Sequence, residues 1–195
     1  WTASGRLYGP IEERLRHQIY PFVGNTHTET SVTGSAMTLA YHEAMAHIKR
    51  HVNASGDDVI ISSNSGMTGV INKFQRILGF KIHERYKDCL HLTEKERPVV
   101  FVTHMEHHSN QTSWLETIAD VKVINPTPQG RVDLEHLNQL LEQYAHRDMK
   151  IAAITSCSNV TGVMTPYHQI AGMLHRAGGY CFVDFAASAP YIPIN

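Results

Sequence analysis

The stretch Ile151-Ala152-Ala153-Ile154-Thr155, then Tyr167 to Arg176, then Gly178-Gly179 and Tyr180-Cys181-Phe182-Val183-Asp184 decides the fold. Its two ends are short apolar runs of the kind that fill a strand buried on both faces. Between them lies a helix-length segment that stops at a glycine pair. A strand, a helix and a second strand joined this way form a right-handed crossover between parallel strands. Working outward, Val99-Val100-Phe101-Val102-Thr103 repeats the buried-strand signature, and Ser109 to Ile118 follows it as a helix. Val121-Lys122-Val123-Ile124 is a further strand. The turn Pro126-Thr127-Pro128-Gln129-Gly130 then leads to a helix from Asp133, with Leu134, Leu137, Leu140 and Leu141 on one stripe. Asp58-Val59-Ile60-Ile61-Ser62 reads as the earliest strand of the same kind, and it precedes a helix through Val70, Ile71, Phe74 and Ile77-Leu78 that stops at Gly79.

Upstream, a helix opens at Pro10, carries Ile11, Leu15 and Ile19 at four-residue spacing, and ends at Pro21. A longer helix is expected from Ser35 to His51. The alternation of strands with helices makes the fold class α/β: three layers, with a mostly parallel sheet and helices on both faces. No internal repeat and no low-complexity linker marks a second domain.

The 195 residues carry 17 Lys and Arg against 18 Asp and Glu, a formal net charge of −1. Neither nucleic acid nor a membrane surface is therefore expected as a partner. No apolar run is long enough to span a bilayer, and the first residues lack the order of a signal peptide. Three widely spaced cysteines, Cys89, Cys157 and Cys181, suggest neither a disulfide framework nor a metal site, so a reducing cytoplasm is expected.

In an open parallel sheet, ligands bind beyond the carboxyl ends of the strands, where loops leave and helix N-termini point. Four groups fall at such places. Ser63-Asn64-Ser65-Gly66-Met67-Thr68 is a small-residue turn opening a helix. Its N–H groups and the Thr68 hydroxyl suit a phosphate, although an ordinary N-cap by Ser65 is the competing reading. His104, Glu106, His107 and His108 follow the second strand. Ser156, Ser158 and Asn159 follow the fourth. Asp184 closes the fifth, and it is either a turn carboxylate or a buried acid in need of a partner. The histidines have metal-like spacing if helical, which keeps a histidine-based metal hydrolase as an alternative.

Taken in order, Asn64-Ser65-Gly66-Met67-Thr68, Glu106-His107-His108-Ser109-Asn110, Ser158-Asn159-Val160-Thr161-Gly162 and Val183-Asp184-Phe185-Ala186-Ala187 resemble the pyridoxal-phosphate enzymes of aminotransferase class V. That group includes cysteine desulfurases and selenocysteine lyases. Thr2-Ala3-Ser4-Gly5-Arg6, Asp133-Leu134-Glu135-His136-Leu137 and Val163 to Pro166 also fall where the family has characteristic stretches.

The resemblance implies pyridoxal 5'-phosphate as cofactor, an amino acid as substrate and a homodimer, and it divides the chain into an N-terminal helix and active-site segment, residues 1–34, and a partial cofactor-binding large domain, residues 35–195. It implies that Met67, through its N–H, and Thr68, through its hydroxyl, bind the cofactor phosphate. It gives His107 a place on the pyridine ring and a part in proton transfer, Asn159 a place near the phenolic oxygen, and Asp184 the pairing with the ring nitrogen. His107 and Asp184 are thus the catalytic candidates, and no metal is implied.

Three positions depart from the family pattern. Gly69 stands where Glu is common, Phe185 where Gly is common, and Ala187 where a Gln usually reaches the phenolic oxygen. These departures leave a noncatalytic dimerisation or partner-binding module as an alternative. Lys49, Lys73, Lys81, Lys87, Lys95, Lys122 and Lys150 all precede the Val-Asp strand, after which the family places its cofactor-carrying lysine. That lysine, the nucleophilic cysteine and the carboxylate-binding arginine are expected outside this chain, so the segment by itself is expected to be inactive.

Overall fold

Parallel strands need crossovers, and the computed structural model has them between the four strands from Val99 to Asp184. It describes residues 5–194. They fall into two compact units, one of residues 5–60 with 192–194 and the other Ile61–Tyr191.

In the first unit, α1 (Gly9–Arg14) starts with Pro10 in its first turn and continues through a π-turn at Leu15–Ile19 and a 3-10 turn at Tyr20–Phe22. The helix α2 (Val32–His51) begins three residues earlier than its apolar pattern, because the Ser31 hydroxyl accepts the Gly34 N–H and caps it. It ends where Asn53 takes φ +52°, which lets the Ala54 N–H reach the Lys49 carbonyl.

The second unit holds α3 (Gly66–Ile77), β1 (Val99–Thr103), α4 (His108–Leu115), β2 (Asp120–Ile124), α5 (Leu134–Gln143), β3 (Lys150–Thr155), α6 (Tyr167–Arg176) and β4 (Tyr180–Asp184). All pairings are parallel, in the order β2-β1-β3-β4. Alternate strand residues face opposite layers. Val99, Phe101, Ala152 and Ile154 pack with Leu137, Leu140 and Leu141 of α5 and Ile170 and Leu174 of α6. Val100, Val102, Ile151 and Ala153 pack with Trp114 of α4 and Phe74 of α3. The sheet is therefore covered on both faces, which is why its strands read as unbroken apolar runs. Asp133 starts α5 as expected, its carboxylate accepting the N–H groups of Glu135 and His136.

The expected strand at Asp58–Ser62 is not formed. These residues belong to no strand or helix, Val59 is 82% exposed and Ile61 41%. A strand exists only where a neighbour takes its backbone groups, and no neighbour pairs with this run among the described residues. The Asp58 carboxylate instead bends the chain back by accepting the Ser55 N–H and hydroxyl, which hold it below its usual range. Likewise α4 ends at Leu115 rather than at Ile118, since the Thr117 hydroxyl turns back to the Trp114 carbonyl.

The amino ends of the strands are closed by cations. Arg147 is buried, donates to Asp120 at 2.9 Å, to Glu94 at 3.4 Å and to the Arg97 carbonyl at 3.0 Å, and lies over the Tyr144 ring. Lys150, also buried, donates to the Arg147 carbonyl at 2.6 Å.

Candidate functional site at the carboxyl ends of the strands

The order β2-β1-β3-β4 means that the chain leaves β1 toward one side of the sheet and goes from β3 toward the other. The gap between β1 and β3 is the point at which a crevice forms beyond the strand ends. The register widens there. Pairing of β1 with β2 runs to Thr103↔Ile124 and that of β3 with β4 to Thr155↔Asp184, whereas β1 and β3 pair only from Val99↔Lys150 to Phe101↔Ala152.

Glu106 fills this opening. One of its oxygens accepts the Thr103 hydroxyl at 2.6 Å, the Thr103 N–H at 3.2 Å and the Thr155 N–H at 3.0 Å; the other accepts the Asn110 amide at 2.8 Å. Burial raises its pKa above the ordinary carboxylate range against the opposing effect of these bonds. The next residue, His107, caps α4 by accepting the Ser109 N–H on Nδ1, and its ring is exposed.

On the other side of the crevice, Asp184 is 5% exposed. One of its oxygens accepts the Ala186 N–H at 2.8 Å, and its backbone carbonyl takes the Ser156 N–H at 2.9 Å. Among the described residues no Lys, Arg or His pairs with it. Asn159 lies on an exposed turn after β3, which is shaped by the Ser158 hydroxyl accepting the Val160 and Thr161 N–H groups.

The turn before α3 survives the loss of its strand. Ser65 occupies the N-cap position without a side-chain bond into the helix, so the capping expected of its hydroxyl is absent and the N–H groups of Met67 and Thr68 face no internal acceptor among the described residues. Met67, Val70, Ile71 and Phe74 of α3 share an apolar cavity of about 210 Å³ with Phe182 and Val183 of β4, which places the start of α3 beside the strand that carries Asp184.

Two of the departing residues have local physical reasons. A Cβ at Gly69 would lie 2.5 Å from the Ser63 hydroxyl and 2.7 Å from the Ser65 Cβ, so the turn's fold onto α3 requires glycine there. Phe185 is turned onto Tyr167 at the start of α6, ring centroids 5.3 Å apart.

The structure thus places Met67, and Thr68 next to it, beside the strand that carries Asp184, and His107 after the carboxyl end of β1, and leaves Asn159 on the turn after β3 with its side-chain amide bonded to none of the described residues. Glu106, which the sequence shows only as part of a motif, is the residue missed; the signal was a Thr, a Glu three positions on and an Asn four beyond that. Residues 2–4 of the expected active-site stretch lie outside the described residues. Among the described residues no group of three or more His, Cys, Asp or Glu is placed to hold a metal ion. Cys181 packs against the core, where burial pushes its thiol up to about 11.

The model of the aminotransferase class-V family matches residues 2–195. The chain belongs to this family. Curated relatives include a cysteine desulfurase of Haloferax volcanii, 28% identical over 200 residues, covering 100% of this chain and 43% of that protein. Another is a probable cysteine desulfurase of Halalkalibacterium halodurans, 29% identical, covering 95% of this chain and 43% of that protein. The fold is that of a cysteine desulfurase from Thermococcus onnurineus solved in apo form, with a TM-score of 0.78 at 18% identity over 100% of this chain and 45% of that one. A NifS-like protein of Rickettsia africae gives 0.75 at 20% identity, over 100% of this chain and 49% of that one. The chain spans less than half the length of the curated relatives it matches.

Proposed function

We propose that these residues form much of the cofactor cradle of a pyridoxal-phosphate enzyme that acts on an amino acid, of the cysteine desulfurase, selenocysteine lyase or class V aminotransferase kind. The observation that carries the reading is Asp184: a carboxylate 5% exposed, at the end of a parallel strand, with no cationic partner among the described residues. A buried anion needs a partner, and a protonated pyridine nitrogen is one that a ligand would bring.

The remaining donors fit the same group. The open N–H groups of Met67 and Thr68, with the exposed Thr68 hydroxyl, suit a phosphate at the N-terminus of α3. His107 engages Ser109 through Nδ1, 3.2 Å from its N–H and 2.8 Å from its hydroxyl, which leaves Nε2, bonded to none of the described residues, as the nitrogen able to exchange a proton with a substrate. Asn159 offers an amide to the phenolic oxygen. When bound, pyridoxal phosphate withdraws the electron pair left on the substrate's α-carbon as a bond to that carbon breaks. Asp184 sustains this by holding the proton on the ring nitrogen. The cofactor-carrying lysine, the nucleophilic cysteine and the substrate-binding arginine belong, in this reading, to the rest of the protein. The cytoplasmic setting and the homodimer are part of the same proposal; the three free cysteines suit a reducing compartment.

Ala187 favours a second reading, a noncatalytic module of this fold, because it has no group to offer the cofactor's phenolic oxygen. One experiment separates the two. Full-length protein supplied with pyridoxal phosphate should show a visible absorbance band that borohydride bleaches and fixes onto a lysine. A folded full-length protein without that band would overturn the enzyme reading.

A further inference from the structure

We infer that Glu106 is a positioning residue: its carboxylate bridges the opening between β1 and β3 and thereby fixes His107, the next residue in the chain, relative to the strand pair that carries Asp184. This rests on the reading of His107 and Asp184 as cofactor-facing groups.

The argument starts from the sheet. Neighbouring parallel strands lie about 4.8 Å apart while their ladder continues. Here the β1–β3 register ends at Phe101↔Ala152, two residues before Thr103 and three before Thr155. The N–H groups at those two strand ends would otherwise need new acceptors in a buried place. A single oxygen of Glu106 takes both, together with the Thr103 hydroxyl. Its other oxygen takes the amide of Asn110, a buried residue of α4 whose own oxygen accepts the indole N–H of the buried Trp114. The carboxylate therefore ties together the ends of β1 and β3 and the first turn of α4.

His107 stands between Glu106 and that turn and caps it, so its ring inherits the position that Glu106 sets. Thr155 is in register with Asp184, and the Ser156 N–H bonds the Asp184 carbonyl, so the same carboxylate also refers the ring to Asp184. All four contacts come from donors, so both oxygens of the side chain serve here as acceptors. Burial disfavours the charged form of such a group. A group retained only to cap backbone N–H groups has no need of the charge, since an amide oxygen would serve three of the four contacts.

The test uses full-length protein, with Glu106→Ala, Glu106→Gln and, as a destabilised control far from the site, Arg147→Ala. The first readout is the imidazole nitrogen NMR shift of His107 in cofactor-free protein; the second is the dissociation constant for pyridoxal phosphate. Glu106→Ala should move the His107 signals toward those of a freely exchanging ring and weaken cofactor binding about tenfold or more. The Arg147 variant should change neither. Glu106→Gln keeps the acceptor for Thr103 and Thr155 but turns an amide N–H₂ toward the Asn110 amide, whose oxygen is already engaged. It should therefore move the same His107 signals by a smaller amount. If the alanine variant does not fold, the glutamine variant decides.

Unmoved His107 signals and unchanged affinity in the folded variants overturn the proposal. Failure of the underlying reading is seen separately: His107→Ala and Asp184→Ala would then leave cofactor affinity intact whatever the Glu106 variants do.

Discussion

The two ends of the sheet treat charge in opposite ways. At the amino ends, buried Arg147 is met by Asp120 and Glu94, and Lys150 is held by backbone carbonyls. At the carboxyl ends, Asp184 and Glu106 are held by neutral donors alone, and no cation reaches either among the described residues. A paired charge is satisfied by the fold itself. A carboxylate whose only partners are N–H and O–H groups remains able to bind a cation. On the proposed function, the amino ends are closed by charges the fold itself pairs, and the carboxyl ends keep in Asp184 a carboxylate whose cationic partner would come with the ligand.

That contrast can be broken most directly at Asp184. On the proposed function, Asp184→Ala in the full-length protein should lower turnover by about 10²–10³-fold, the scale on which loss of one preorganised electrostatic contact is felt. Its thermal midpoint should stay near that of the parent. A large loss of stability with turnover per folded molecule unchanged would place Asp184 with the structural charges.

At the opposite end, Arg147→Ala should cost about 2 kcal/mol in chemical denaturation, because it strands Asp120 and removes packing over Tyr144. This is below the range for a fully buried pair, since Asp120 is partly exposed and Glu94 lies in solvent. Turnover per folded molecule should not move; a turnover loss matching that of Asp184→Ala would erase the distinction between the ends.

The smallest effect concerns Glu106. Its folded-state pKa is raised above the ordinary 4.5, so the folded protein binds its proton more tightly than the unfolded chain does. The stability associated with that proton is fully present below about pH 4.5 and is lost as pH rises through the folded-state value. Glu106→Gln lacks this titration. The stability of Glu106→Gln minus that of the parent should therefore become more positive as pH is raised from 4.5, as followed by denaturant titration at several pH values. A difference that is flat or falls over that window would show that the carboxylate is not penalised by its surroundings.

How much of this could be read beforehand depended on how local the cause was. The four strands of the sheet and the helix Tyr167–Arg176 were legible because their apolar periods and the flanking Gly178-Gly179 are contained within each segment. Asp58–Ser62 was misread for the complementary reason: its composition is that of a buried strand, but pairing depends on a neighbour that no local pattern reports. At the site, Asp184 stood out because an acid closing an apolar run must be accounted for. The bridging by Glu106 was hidden, since it joins residues 49 apart in the chain at a gap in register that only the assembled sheet contains.

Gly69 limits how the turn before α3 can be altered. The turn at Ser63–Ser65 sits so close over the first turn of α3 that any side chain at residue 69 meets it. A single replacement of Gly69 by the glutamate common in the family would displace the loop that presents Met67 and Thr68. A side chain at residue 69 is accommodated only together with a change at Ser63 or Ser65. The three positions are thus one coupled unit, and replacements at residues 63, 65 and 69 should be non-additive in stability.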